Sequence, residues 1–269
     1  MTAREAPRPV VELRKVCKAF RGARVLTGVD LAVRSGETFT ILGGSGSGKS
    51  VCLKHMIGLL RADSGQILVA GRDVTRLSEE GWVSVRRDFG MVFQGAALFD
   101  SLTVYENIAY PLREHLDWKE ERIRERVRNC VEAVGLAGVQ PMLPSDLSGG
   151  MRKRVGIARA IALEPQIILY DEPTTGLDPA NSRRIAELIR RLQERLEVTS
   201  VVVTHDLDLC FGVSDRVGLL QGGVVAVEGT AEEMRGSRHP EMRAFIEGSF
   251  DPAPSVLGSP SLEGGADGG

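Results

Sequence analysis

The stretch Gly43-Gly44-Ser45-Gly46-Ser47-Gly48-Lys49-Ser50 sets the chemistry to look for: a glycine, an intervening run, then Gly-Lys-Ser. It follows the apolar run Thr38-Phe39-Thr40-Ile41-Leu42 and precedes Val51-Cys52-Leu53-Lys54-His55-Met56, which reads as the start of a helix. Strand, glycine loop and helix in that order specify a phosphate-binding loop. Lacking Cβ atoms, Gly43, Gly44, Gly46 and Gly48 let the backbone wrap a phosphate and turn its N–H groups inward. The helix start adds partial positive charge, and Lys49 adds a point charge for β- and γ-phosphates. Ser50 offers its hydroxyl to Mg²⁺. A flexible glycine linker would not sit between a β run and a helix with Lys-Ser at its end.

Other polar groups stand at the ends of apolar runs. Asp171-Glu172 closes Ile167-Ile168-Leu169-Tyr170. Hydrolysis of a nucleoside triphosphate needs one acid to hold Mg²⁺ and a second group to orient the attacking water. Asp171 and Glu172 can divide those roles. His205 follows Ser200-Val201-Val202-Val203-Thr204, where an imidazole could hydrogen-bond a γ-phosphate oxygen. Gln94 closes Phe89-Gly90-Met91-Val92-Phe93 and is placed for the metal or the water. Leu147-Ser148-Gly149-Gly150 opens a helix whose first turn carries Arg152, Lys153 and Arg154. Cations there oppose the macrodipole unless an anion arrives, so the segment reads as a second phosphate-binding helix start, with a plain capped helix as the alternative.

The elements that must position these residues are legible in outline. Val10–Val16 and Val29–Val33 alternate as half-wet strands, and Gln66–Ala70 reads as another, so the N-terminal part is expected to be an antiparallel β layer. Ile123, Val127, Cys130, Val131 and Val134 recur at helical spacing, as do Ile185, Leu188, Ile189, Leu192 and Leu196. Met151–Leu163 is helical, and Val217–Val227 is a hairpin about Gly222-Gly223. Strands alternating with helices imply an α/β fold with a mostly parallel central sheet, whose ligands gather at the carboxyl ends of the strands. Leu42, Phe93, Tyr170 and Val203 stand at such ends. One domain over 10–248 is expected, with a helical subdomain inserted at about 95–160 and a disordered Gly/Pro/Ser-rich tail at 249–269.

Composition narrows the class. With 269 residues, 42% hydrophobic and 26% charged, the chain can bury a sizeable core. A net charge of −2 provides no basic field for nucleic acid. Cys17, Cys52, Cys130 and Cys210 lack metal-ligand spacing and read as reduced thiols. Met1–Pro7 has no apolar segment after its charge, so it does not read as a signal peptide, and no run reaches the length of a membrane helix. Work at a membrane would need another chain to span it.

Taken together, Gly43–Ser50, Gln94, Leu147-Ser148-Gly149-Gly150, Ile167–Glu172, Gly176-Leu177-Asp178 and His205 occur in the order found in the ATP-binding cassette (ABC) ATPases. The resemblance runs from about Val10 to Phe245. It implies a P-loop core that hydrolyses ATP with Mg²⁺, working as two copies placed head to tail. Each ATP would lie between one copy's Gly43–Val51 and Ser148, Gly149, Gly150 and Met151 of the other. By the same resemblance Phe20 stacks on adenine, where Tyr is commoner; Ser50, Gln94 and Asp171 serve the metal; Glu172, His205 and Gln94 serve hydrolysis; and Asp178 lies at the dimer seam. Gln94–His115, together with Leu147–Arg154, resembles the ATPase subunit of Mla and Mce-type lipid transporters, and Met151 stands where most ABC proteins have Gln. That likeness implies integral-membrane permease partners, an Mce-type lipid-binding protein, phospholipid or another lipid as cargo, and a peripheral place on the cytoplasmic face of the inner membrane. An importer ATPase for a small polar solute is the alternative. A non-transport ABC protein acting on DNA or ribosomes fits less well, because the chain has neither a long coiled-coil insertion nor a second cassette.

Overall fold

A computed structural model describes residues 9–248. The tail expected to be disordered, 249–269, lies outside the described residues. The first strands are β1 (Pro9–Phe20), β2 (Ala23–Arg34), β3 (Thr38–Leu42), β4 (Ser64–Val69) and β5 (Arg72–Asp73). They are followed by β6 (Phe89–Val92), β7 (Ile167–Asp171), β8 (Thr199–Thr204), β9 (Arg216–Gln221) and β10 (Val224–Thr230). β1, β2, β4 and β5 form an antiparallel sheet in the order β2-β1-β4-β5. The second sheet has the order β10-β9-β3-β8-β7-β6, parallel from β9 to β6, with β10 antiparallel at its edge. The expected mostly parallel sheet with an antiparallel N-terminal layer is borne out.

Side-chain alternation explains how the layers stack. Ile167 and Leu169 of β7 and Val201 and Val203 of β8, with Phe39 and Ile41 of neighbouring β3, share one core with Leu13 and Leu31 of the antiparallel sheet. Ile168, Tyr170 and Val202 face the opposite side, onto the helices. Strands buried on both faces must read as continuous apolar runs, as these do. The two sheets are stitched together where Thr27 donates its N–H to Gly223 O (2.8 Å) and its hydroxyl to Gly222 O (3.0 Å).

The helices are α1 (Lys49–Met56), α2 (Glu79–Arg86), α3 (Val104–His115), α4 (Glu120–Ala133), α5 (Gly149–Ala160), α6 (Pro179–Leu196), α7 (Leu207–Val213), α8 (Ala231–Arg235) and α9 (Pro240–Ile246). α3, α4 and α5 fall between β6 and β7, over the range expected to be helical. The predicted stripes of α4 and α6 are buried at Ile123, Val127, Cys130 and Val131, and at Ile185, Leu188, Ile189 and Leu192. Leu196 is the exception: it ends α6 and is exposed. The four cysteines are free. No described helix is long and apolar enough to cross a membrane.

α3 shows how local chemistry sets a boundary. Thr103 accepts from the Glu106 N–H (3.2 Å), while Glu106 Oε2 takes the Thr103 N–H (2.8 Å), a reciprocal cap. Buried Asn107 then braces the preceding loop, donating to Phe99 O and Leu102 O and accepting from the Phe99 N–H. Replacing Thr103 by Ala should therefore lower stability by about 1 kcal/mol, read as a reduced urea midpoint with an unchanged slope.

Candidate active site

Strand register brings the candidate residues to one edge of the parallel sheet. Leu42 pairs with Thr204, Val203 with Asp171, and Tyr170 with Val92, so the ends of β3, β8, β7 and β6 lie side by side. Gly43–Ser50, His205, Glu172 and Gln94 leave from those ends.

The phosphate loop folds as its residue types require. Gly48 sits at φ +101, and a Cβ there would lie 2.9 Å from Leu26 and 3.1 Å from Val25, so both conformation and space demand glycine. It starts α1 without a side-chain cap, leaving the first-turn N–H groups for an anion. Lys49 is buried. Its ammonium curls back to donate to Gly43 O and Gly44 O, both at 2.9 Å, and lies 3.3 Å from Glu172 Oε1.

Glu172 is the hub of the cluster. Its carboxylate lies 3.3 Å from Lys49 Nζ and accepts from His205 Nδ1 at 3.0 Å. The Thr175 and Thr204 hydroxyls also donate to it, each at 3.4 Å. The Glu172 side chain is 10% exposed and that of His205 57%, so the imidazole forms the open wall of the site. An ionised carboxylate only accepts, so Nδ1 carries the proton in this contact and Nε2 is left for another partner. Next to this cluster, Ser50 Oγ donates to Asp171 Oδ1 at 2.7 Å.

Lys49, Glu172 and His205 therefore form one connected group, with the Ser50–Asp171 pair adjacent to it along the chain. Gln94 joins it through its main chain: its carbonyl accepts the Lys153 ammonium, while its side chain is exposed. Phe20 ends β1, is 40% exposed, and has Lys18 Nζ 5.5 Å from its ring centroid. Ser148 caps α5 by accepting from the Met151 N–H at 3.3 Å. Among the described residues, no hydrogen bond or ion pair joins Ser148–Met151 to Gly43–Ser50 of the same chain. Gly150 instead packs on α6, where a Cβ would meet Asn181 Oδ1 at 2.9 Å. Asp178 caps α6, accepting from the N–H groups of Ala180 and Asn181 at 2.9 Å each. Those bonds, led by Asn181, hold its carboxyl below the usual range.

The cations of α5 have partners within the chain. Arg152 donates to Leu147 O, Lys153 to Gln94 O and Glu172 O, and Arg154 to Val134 O and Gly135 O. Main-chain carbonyls supply the negative dipoles that the helix end lacks. Spacing alone pointed to this at Lys153. It lies four residues before buried Ile157, on the apolar side of α5, where a lysine must find buried acceptors. Burial pushes its ammonium below the ordinary lysine range, and the Glu172 and Asp171 carboxylates oppose that shift.

The ABC transporter family profile matches residues 26–175, spanning the phosphate loop, the Ser148 segment and the Asp171-Glu172 pair. The chain belongs to the ABC transporter family. As a member, it is an ATP-binding, ATP-hydrolysing subunit. A "Probable ribonucleotide transport ATP-binding protein mkl" of Mycobacterium leprae is 41% identical over 238 residues, 88% of this chain and 69% of that protein. The "Intermembrane phospholipid transport system ATP-binding protein MlaF" of Haemophilus influenzae is 41% identical over 232 residues, 86% of this chain and 88% of that protein. A "Methionine import ATP-binding protein MetN" of Rhizobium johnstonii is 42% identical over 224 residues, 83% of this chain and 62% of its own length. Among solved structures, the dimeric ATP-binding cassette MJ0796, in a post-hydrolysis state with ADP and Pi, superposes with a TM-score of 0.76 at 34% identity. That match covers 82% of this chain and 98% of the other.

Proposed function

We propose that this ABC ATPase drives an integral-membrane permease that moves phospholipid or another lipid, working as a pair of copies on the cytoplasmic face of the inner membrane. The observation that carries the lipid reading is the relative named for intermembrane phospholipid transport, because the match spans most of both chains. The resemblance carried by Met151 and the Gln94–His115 stretch agrees with it. The pairing is supported by the dimeric cassette, which superposes over most of this chain. It is also supported by the separation of Ser148–Met151 from the phosphate loop of the same chain: a second copy placed head to tail would supply that segment.

In this reading, Lys49 and the loop N–H groups hold the β- and γ-phosphates, and Glu172 orients the attacking water. His205 faces the γ-phosphate with Nε2. Contact there as well as with Glu172 would use both ring nitrogens. Mg²⁺ suits the donor set, since it keeps several waters and relies on phosphates with one or two protein groups. Ser50 Oγ and Asp171 stand together, and no described cluster of three or more His, Cys, Asp or Glu could cage a metal alone. Bound there, the ion would neutralise charge on the phosphates. Phe20 supplies the adenine platform, so Phe20→Ala should weaken ATP binding about 10-fold while sparing kcat at saturation; titrating hydrolysis against ATP separates the two effects.

The permease would dock on the face that follows Gln94, where Phe99 and Tyr110 are both exposed and form a tilted ring pair with centroids 5.2 Å apart. An Mce-type lipid-binding protein completes the proposed assembly. The polar-solute reading keeps support from the ribonucleotide and methionine relatives. Affinity isolation of tagged full-length chain from membranes decides between them. A lipid cargo predicts a co-isolated permease with bound phospholipid and an Mce-type chain. A permease isolated with a polar-solute-binding protein and no bound lipid would contradict it.

A further inference from the structure

Two strand ends of the site sit in backbone conformations that need external support. Glu172 has φ +47, in the left-handed region that disfavours a residue with a Cβ. Its N–H donates to Val203 O at 3.0 Å, and its carbonyl accepts from the Thr175 N–H and the Lys153 ammonium, each at 3.3 Å. After Gln94, Ala96 and Ala97 lie at φ +63 and +48. Strain of this kind persists only where surrounding structure over-determines it.

One helix supplies much of that support. Lys153 bridges the main-chain carbonyls of Gln94 and Glu172. A turn later Gly156 lets α5 approach the loop, since a Cβ there would lie 3.2 Å from Ala96 Cβ. Another turn on, Arg159 donates to Ala96 O at 2.9 Å and Ala97 O at 2.7 Å. The same helix begins at the Ser148-Gly149-Gly150 segment.

We infer that Lys153 is a positioning residue for ATP hydrolysis, tying the main chain of Glu172 and Gln94 to the helix whose start meets the nucleotide of the other copy. This rests on the reading of Glu172 given above. Movement of α5 on engaging that nucleotide would then be transmitted to the group that aims the water. A lysine that merely fills two buried acceptors would contribute stability and leave the chemical step alone.

Steady-state hydrolysis by the full chain, measured against ATP concentration for Lys153→Met, Lys153→Arg and Glu172→Gln, distinguishes these. Misplacing a reacting group lowers the rate of chemistry, so Lys153→Met should cut kcat about 10-fold or more and leave KM within about two-fold. Lys153→Arg, which keeps a cation at similar reach, should recover most of the loss. A smaller fall in kcat, a loss carried by KM, or no recovery in Lys153→Arg overturns the inference. If Lys153→Met does not fold, Lys153→Gln carries the same test. Failure of all three variants to fold would mark Lys153 as structural and also overturn it. Glu172→Gln separates the layers: if it hydrolyses at the wild-type rate, the reading of Glu172 fails. If it is inactive while Lys153→Met keeps wild-type kcat, only the Lys153 inference fails.

Discussion

Glu172→Gln is expected to reduce steady-state ATP hydrolysis at least about 100-fold while leaving ATP affinity within a few-fold. The amide keeps the size and one carbonyl oxygen of the carboxylate, so Lys49, Thr175 and Thr204 retain an acceptor nearby. What disappears is the negative charge that can take a proton from water or hold the water in line. Nucleotide binding relies on the loop N–H groups and Lys49 instead, so binding and turnover should separate. Nucleotide titration of the purified variant reads the first and phosphate release the second. Brisk turnover would leave Glu172 as no more than a buried anchor for Lys49.

Lys49→Ala should act on the other side of that separation. Its ammonium is buried, on a stem held over the glycine loop by Gly43 O and Gly44 O. A hydrogen bond to a charged group contributes about 1.5–3 kcal/mol, which corresponds to about a 10- to 100-fold loss of ATP affinity. The substitution also takes the cation away from Glu172, whose carboxylate is left with His205 and two hydroxyls. A stability loss therefore accompanies the binding loss, and a urea midpoint measured without nucleotide separates the two. Unchanged affinity in a folded variant would remove Lys49 from the phosphate site.

The phosphate loop was readable because its requirements are local: a left-handed Gly48, an uncapped helix start and a lysine in one short stretch. The parallel strands were readable for a different reason. Burial on both faces leaves runs such as Ile167–Tyr170 and Ser200–Val203 no polar side. Short or atypical helices were harder. α2 has Gly81 within it and two valines among its later residues. α3 carries Pro111 yet continues, with Ile108, Ala109 and Leu112 fully buried around it. α7 and α8 are too short to show a period. Charge alone was an incomplete guide at the start of α5. The acceptors that satisfy Arg152, Lys153 and Arg154 lie on other segments and carry no net charge in the sequence, so only the folded chain shows them. The bracing of Glu172 by Thr175, Thr204 and Lys153 is likewise long-range in part, since Thr204 and Lys153 come from β8 and α5.

The central claim is that ATP is held between two copies, each completing the other's site with Ser148–Met151. The most direct measurement is the solution mass of Glu172→Gln, by light scattering, with and without ATP. The account predicts a 29.1 kDa species alone and about twice that mass with ATP, the shift vanishing when Lys49→Ala is added. A single-copy mass at saturating ATP, with nucleotide demonstrably bound, would contradict it.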